Sequence, residues 1–170
     1  MIFTLDTSVA FVALIVSACT LAASVRFWRR SFRPIVTAVV KTKTAGNMAI
    51  TYNLVLLNSG TIPAKNVSIS ADSASLEASL GSGADSASRE RWLSCFEGRS
   101  HIPVLHNGDS VSCSFGLTRG PDDGFWRYKS TIDVVINYQG WFGIDYQQPQ
   151  KLHIIDSGSF TGFMWTTCEG

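Results

Sequence analysis

The sequence predicts a mainly β protein behind one N-terminal transmembrane α-helix, the helix being followed by an antiparallel β-sandwich of seven to eight strands. Three observations predict it. Thr7–Val25 runs nineteen residues without a charge, and that block ends abruptly in arginines. From Ile35 onward the pattern changes to short β-branched runs separated by turn residues. At 170 residues the chain has room for one domain of ordinary size plus an appendage. A hydrophobic share of 45% against 16% charged residues excludes a disordered chain.

A helix of that length rises roughly 28 Å, close to the thickness of a hydrocarbon core. Its few polar residues are Ser and Thr, whose hydroxyls can bond back to the helix backbone. Orientation follows from the flanks. No Lys or Arg precedes Arg26, whereas Arg26, Arg29, Arg30 and Arg33 fall within eight positions, with Lys41 and Lys43 beyond. The positive-inside rule then puts the N-terminus outside and the C-terminal domain in the cytoplasm, at the plasma (inner) membrane. A net charge of +1 with one local basic cluster marks a boundary and excludes a nucleic-acid-binding surface. Phe27, Trp28 and Phe32 interleave with the arginines. Rings favour the headgroup layer and guanidinium groups meet lipid phosphates there. Arg26, Phe27, Trp28, Arg29, Arg30, Phe32 and Arg33 are therefore the expected membrane-interface set. The expected boundaries are a helix over 1–28, a collar over 29–34 closed by Pro34, a sandwich over 35–157 and a tail over 158–170.

Val16-Ser17-Ala18-Cys19 resembles a bacterial lipoprotein signal box, which implies export with a lipidated Cys19. The basic segment that precedes such boxes, and ordinary signal peptides, is missing here.

The strands are read in order. Ile35–Lys43 is β-branched and is broken by Ala45-Gly46-Asn47. Met48–Leu57 is longer, and its continuously apolar end, Leu54–Leu57, suits a central strand. Val67–Ala71, Ile102–Leu105, Val111–Leu117, Thr131–Tyr138 and Gly143–Gln148 follow, and Pro149 separates the last from Leu152–Ile155. Short strands with frequent turns indicate a sandwich. Residues 70–91 are too rich in Ser, Ala and Gly for a core strand and contain Ala-Asp-Ser-Ala-Ser twice, at 71–75 and 84–88. They read as a mobile surface loop, with a short helix near Leu76–Leu80.

Leu56-Leu57-Asn58-Ser59-Gly60-Thr61-Ile62-Pro63-Ala64-Lys65-Asn66-Val67 resembles the corner of bacterial immunoglobulin-like domains of the CARDB type. Ile102–Val111 and Thr131–Tyr146 are similar to a later hairpin and to the terminal hairpin of that pattern. The resemblance implies an immunoglobulin-like sandwich and no particular activity.

Chemistry is sparse. With Cys19 in the span, Cys95, Cys113 and Cys168 remain, and no C-x-x-C pair occurs. In a reducing cytoplasm these are free thiols; in an exported domain Cys95–Cys113 is the pair to test. His101 and His106 are five apart with no acidic partner at motif distance, and Asp122-Asp123-Gly124 after Gly120-Pro121 reads as a turn. No nucleophile elbow and no phosphate-binding loop occurs. The expectation is a protein that is no enzyme and needs no metal or cofactor.

What remains is aromatic. Phe125, Trp126 and Tyr128 follow the Asp-Asp-Gly turn, Trp141 and Phe142 sit at a hairpin tip, and Phe163 and Trp165 mark the tail. Aromatics on loops are candidate anchors for a partner. The leading expectation is a noncatalytic, membrane-tethered module that recruits protein partners, a second copy among them. The first alternative is a ligand-sensing effector, as in bacterial defence systems, whose helices cluster to breach the membrane and whose small residues permit close packing. The second is an exported envelope lipoprotein.

Overall fold

A computed structural model describes residues 5–97 and 101–156; of Leu5, Asp6 and Phe142 it describes the backbone alone. The chain divides between Arg33 and Pro34 into two units.

The first unit is α1, Leu5–Ser31. Within it, Thr7–Ser31 is long and apolar enough to cross a membrane, and its described side chains are exposed. That is the pattern of a membrane anchor or a signal sequence. Ser17 and Thr20 donate to the carbonyls of Ala13 and Val16, each at 2.8 Å, so neither hydroxyl reaches the helix surface unsatisfied. The helix does not stop at the first arginines but runs through them, since nothing before Pro34 opposes it.

The second unit holds eight strands in two antiparallel sheets. β1 (Val36–Ala45), β2 (Ile50–Asn58), β5 (Ser110–Arg119) and β6 (Asp123–Gly124) form one, in the order β1-β2-β5-β6. β3 (Ala64–Ala71), β4 (Ile102–Leu105), β7 (Thr131–Gln139) and β8 (Asp145–His153) form the other, in the order β4-β3-β7-β8. The two sheets make a sandwich. β1-β2-β5 and β3-β7-β8 hold the A-B-E and C-F-G places of an immunoglobulin-type sandwich, with β4 added beside β3. β2 is central, as its apolar end requires, and alternate residues Tyr52, Leu54, Leu56 and Asn58 face inward.

Two expectations are corrected. Pro149 does not divide the last strand: β8 passes through it, opposite Val135. β8 lies at a sheet edge, where an outward position needs no N–H. Residues 70–91 hold more regular structure than the one short helix expected there. They finish β3 and build two helices, α2 (Ser73–Ala78) and α3 (Ser86–Leu93). The repeated Ala-Asp-Ser-Ala-Ser is a repeated helix cap. Asp72 accepts from Ser75 N–H at 2.8 Å and Asp85 from Ser88 N–H at 2.7 Å. The Ser88 side chain, and then its N–H, hold the Asp85 carboxyl below its usual range. Leu80 between the helices is buried, and Trp92 and Phe96 pack against the core.

The corner after β2 is fixed by one buried side chain. Asn58 Nδ2 donates to Ile62 O at 2.8 Å and to Leu105 O at 3.1 Å. Its Oδ1 accepts from Ile35 N–H at 3.2 Å and Gly60 N–H at 3.0 Å. Four backbone groups from three parts of the chain thus close on one amide, which is fully satisfied. Asn58→Ala strands the two buried carbonyls of Ile62 and Leu105, at roughly 1–3 kcal/mol for each left unsatisfied. The full chain in detergent should therefore unfold at clearly lower urea concentration. Asn58→Asp, which keeps the size but removes both donors and sets a charge against two carbonyls, should be at least as damaging.

Candidate functional site

The aromatic anchors expected from sequence separate into different fates. Phe125 and Trp126 are fully buried, which removes them as contact residues. Trp126 lies 4.8 Å from Phe115 and 4.6 Å from Phe125, ring to ring, and its indole N–H donates to Phe115 O. Trp92 meets Phe125 edge-on at 4.7 Å, and Phe96 meets Phe115 at 5.7 Å. Gly116 makes room for this cluster: it has φ +78°, and a Cβ there would stand 2.8 Å from Phe125 Cδ1. Tyr128 is half-buried, with the Lys129 ammonium 5.9 Å from its ring centre. Trp141 remains exposed, at 44%, on the single 3₁₀ turn Trp141–Gly143 that joins β7 to β8. The backbone of Phe142 lies in the same turn, and Phe163 and Trp165 lie outside the described residues.

In α1 the interface set is split by helical geometry. Arg26, Arg29 and Arg30 stand at i, i+3 and i+4, one face of the helix. Phe27, Trp28 and Phe32 line a shallow groove with Ala23, Ser24 and Ser31, and the Trp28 and Phe32 rings lie 5.3 Å apart. Arg29 and Arg30 occupy the last turn, where cations complement the helix dipole. Arg33 follows the helix end.

The feature that sequence reasoning did not locate is a cleft between the sheets. β6 covers β5 only at Thr118 and Arg119. It leaves Ser110–Ser114 with β2 on one side and, among the described residues, no strand on the other. Inward-facing positions near that open flank are under-covered. Val111 is opposite Leu56 and Cys113 opposite Leu54 across the β2–β5 ladder, yet Val111 is 43% exposed and Cys113 is exposed as well. α3 and the 3₁₀ turn Ser94–Phe96 close the flank at Phe115, and Cys95 on that turn reaches the cavity beside Cys113. The cavity left holds about 150 Å³, with Leu54, Leu56, Ile69 and Ile102 among its walls.

Cys95, Cys113 and His101 line the same cavity. The two thiols are close enough for each to shift the other's ionisation. The Cys95 S–H, half-buried, faces two acceptors: the Cys113 sulfur and Trp92 O at 3.4 Å. As donor, Cys95 stabilises the Cys113 thiolate and brings its pKa down to about 7, partly offset by desolvation. The same bond, with burial, pushes the Cys95 thiol far up. Among the described residues the walls carry no Lys, Arg, Asp or Glu. Among the described residues no group of three His, Cys, Asp or Glu is placed to hold a metal ion.

One apolar membrane-type helix and an immunoglobulin-type sandwich with one open flank define the class of protein. The chain belongs to the family described as Domain of unknown function (DUF8453), whose model matches residues 2–160. No curated protein and no solved structure matches it.

At pH 7 the Cys113 thiolate fraction exceeds that of an ordinary thiol by on the order of tenfold. Iodoacetamide should therefore alkylate Cys113 with a midpoint near pH 7 and leave Cys95 unmodified. Cys95→Ala removes the donor, and the Cys113 midpoint should rise toward the ordinary thiol range.

Proposed function

We propose that the chain is a noncatalytic, membrane-tethered module of immunoglobulin-like, CARDB-type kinship that holds a protein partner by strand addition on β5, at the inner face of the membrane. The observation that supports this best is a contrast among the sheet edges. β1 carries Lys41 and Lys43, and its backbone at Ala38 is engaged by the Gln150 side chain, whose Oε1 accepts from Ala38 N–H at 3.0 Å and whose amide donates to Ala38 O. β8 carries Pro149 and Lys151, and β4 carries Pro103. Lysines and prolines are the usual guards against edge-to-edge pairing. Ser110–Ser114 (Ser-Val-Ser-Cys-Ser) has neither, and no charge.

An extended partner segment laid along that edge would bond to the backbone of β5. Its alternate side chains would enter the cleft beside Val111 and Cys113. Small apolar side chains fit, because about 150 Å³ is below the roughly 300–1,000 Å³ of a small-molecule pocket. The volume and the lack of basic walls count against the reading as a nucleotide-sensing effector. Wider hollows at Gly46–Ile50 with Tyr128, and between Asn66 and Asp145, also lack Lys and Arg. α1 holds the module at the bilayer, its arginines on the cytoplasmic side, and Trp141 supplies a second exposed anchor.

Two measurements test this. A photo-crosslinking residue at Val104, an exposed position on β4, should capture a protein in cells, while one at Met48, 86% exposed, should not. Val111→Lys should reduce that capture at least tenfold without lowering the melting temperature, and an unchanged yield overturns strand addition on β5. For orientation, a cysteine introduced at Met48 should resist an impermeant thiol reagent in intact cells and react after permeabilisation. Labelling of intact cells would move the domain to the envelope side.

A further inference from the structure

We propose that Cys113 and Cys95 form a thiol-modification site for hydroperoxides, in which Cys113 is the residue attacked and Cys95 resolves it into an intramolecular disulfide. Three observations carry the proposal, and none of them needs a bound partner strand. The two thiols are brought to the wall of one cavity by elements far apart in sequence, Cys95 by the 3₁₀ turn after α3 and Cys113 by β5. They are inequivalent: Cys113 is exposed and Cys95 half-buried. Both open into one cavity, which gives a small oxidant access to the inner side of the pair. A buried cysteine that only fills space has none of these features.

The Cys113 thiolate attacks one oxygen of the hydroperoxide; the S–O bond forms, the O–O bond breaks, and the alkoxide or hydroxide that leaves takes a proton from solvent. Cys113 is then a sulfenic acid. The Cys95 thiol gives up its proton and its sulfur attacks that of Cys113. The S–S bond forms, the S–O bond breaks, and the departing hydroxide leaves with the proton as water. In sum the peroxide gains two electrons and the thiol pair loses two. An external thiol restores the pair by exchange. The disulfide would staple the Ser94–Phe96 turn to β5 beside its open edge. Phe96 and Trp92 already seat that segment on Phe115 and Phe125, so the turn is held at the site before the bond forms.

The test uses the full chain in detergent with Cys19→Ala and Cys168→Ser, so that two thiols remain. Hydrogen peroxide is added at pH 7 with dimedone, and peptides are mapped by mass without reduction. The expected result is a linked Cys95–Cys113 peptide, two mass units lighter than the sum of the free ones (about 2 Da, two hydrogens lost). Cys95→Ser should accumulate the dimedone adduct on Cys113, and Cys113→Ser should leave Cys95 unmodified. Two thiols still free under conditions that oxidise glutathione, or disulfides only between chains, overturn the proposal. Should Cys95→Ser fail to fold, the linked peptide in the parent chain decides alone. Loss of capture in Val111→Lys has no bearing on this outcome, so the two proposals fail separately.

Discussion

The sandwich depends on the Asn58 amide. It sits at the end of the central strand, where β2 leaves one sheet and the chain crosses to begin β3 in the other. The corner needs backbone groups to turn away from both ladders, and the two carbonyls among them are bonded in a buried place. Asn58 supplies two donors and accepts two bonds from a single buried position, joining the start of β1, the turn at Gly60–Ile62 and the end of β4. Its own backbone extends the lock: its N–H donates to Asp109 O and its carbonyl accepts from Gly108 N–H. The turn before β5 is therefore set by the same residue that sets the corner. Because β5 is positioned from this point, the register that places Val111 and Cys113 over the interior follows from it.

The open flank has a related cause. In an immunoglobulin-type sheet a D strand normally lies beside E. Here the chain places only Asp123–Gly124 beside β5, after it in sequence. The helical insertion between β3 and β4 does the remaining work of covering the core. It contributes Leu80, Trp92 and Phe96, large side chains that reach as far as Phe115. A helix pair covers a core well but does not bond to a strand edge. Phe115 is thus buried, while among the described residues no strand pairs with the outer edge of Ser110–Ser114 and Val111 stays part-exposed. One substitution of element type, helices for a strand, produces both the cleft and the unguarded edge.

How much of this was legible in the sequence differs by kind of signal. The apolar block, the β-branched runs and the corner at Asn58-Ser59-Gly60 are local patterns, and they marked the helix, the principal strands and the turn in their places. Pro149 misled because its meaning depends on whether the strand is central or at an edge, which strand order decides. The Ser/Ala/Gly-rich segment misled through composition. Its repeated Asp at a cap position was a readable helix signal, outweighed by a loop-like residue content. Phe125 and Trp126 were legible as large aromatics but not as buried ones. Their burial depends on the hole left at Gly116 and on Trp92, thirty-three residues before Phe125 in the chain. The cleft was out of reach for a stronger reason. It is defined by a strand that is nearly absent, and no local pattern announces a missing neighbour.

The pairing of Cys95 with Cys113 shows the same limit and its partial remedy. Spacing alone could nominate the pair only as a possible disulfide of an exported chain. Topology brings the two sulfurs together, and the asymmetry of burial then separates their roles. A donor that is desolvated holds its proton more tightly, and the acceptor it faces becomes the better thiolate. Reactivity is therefore concentrated on the sulfur that the solvent can reach, and the partner is held protonated beside it. A disulfide kept for stability alone has no use for such a division, since its two sulfurs are equivalent once joined. The inequality is of use to a pair that cycles between reduced and oxidised states, and together with the cavity the two thiols share it points to a reactive site.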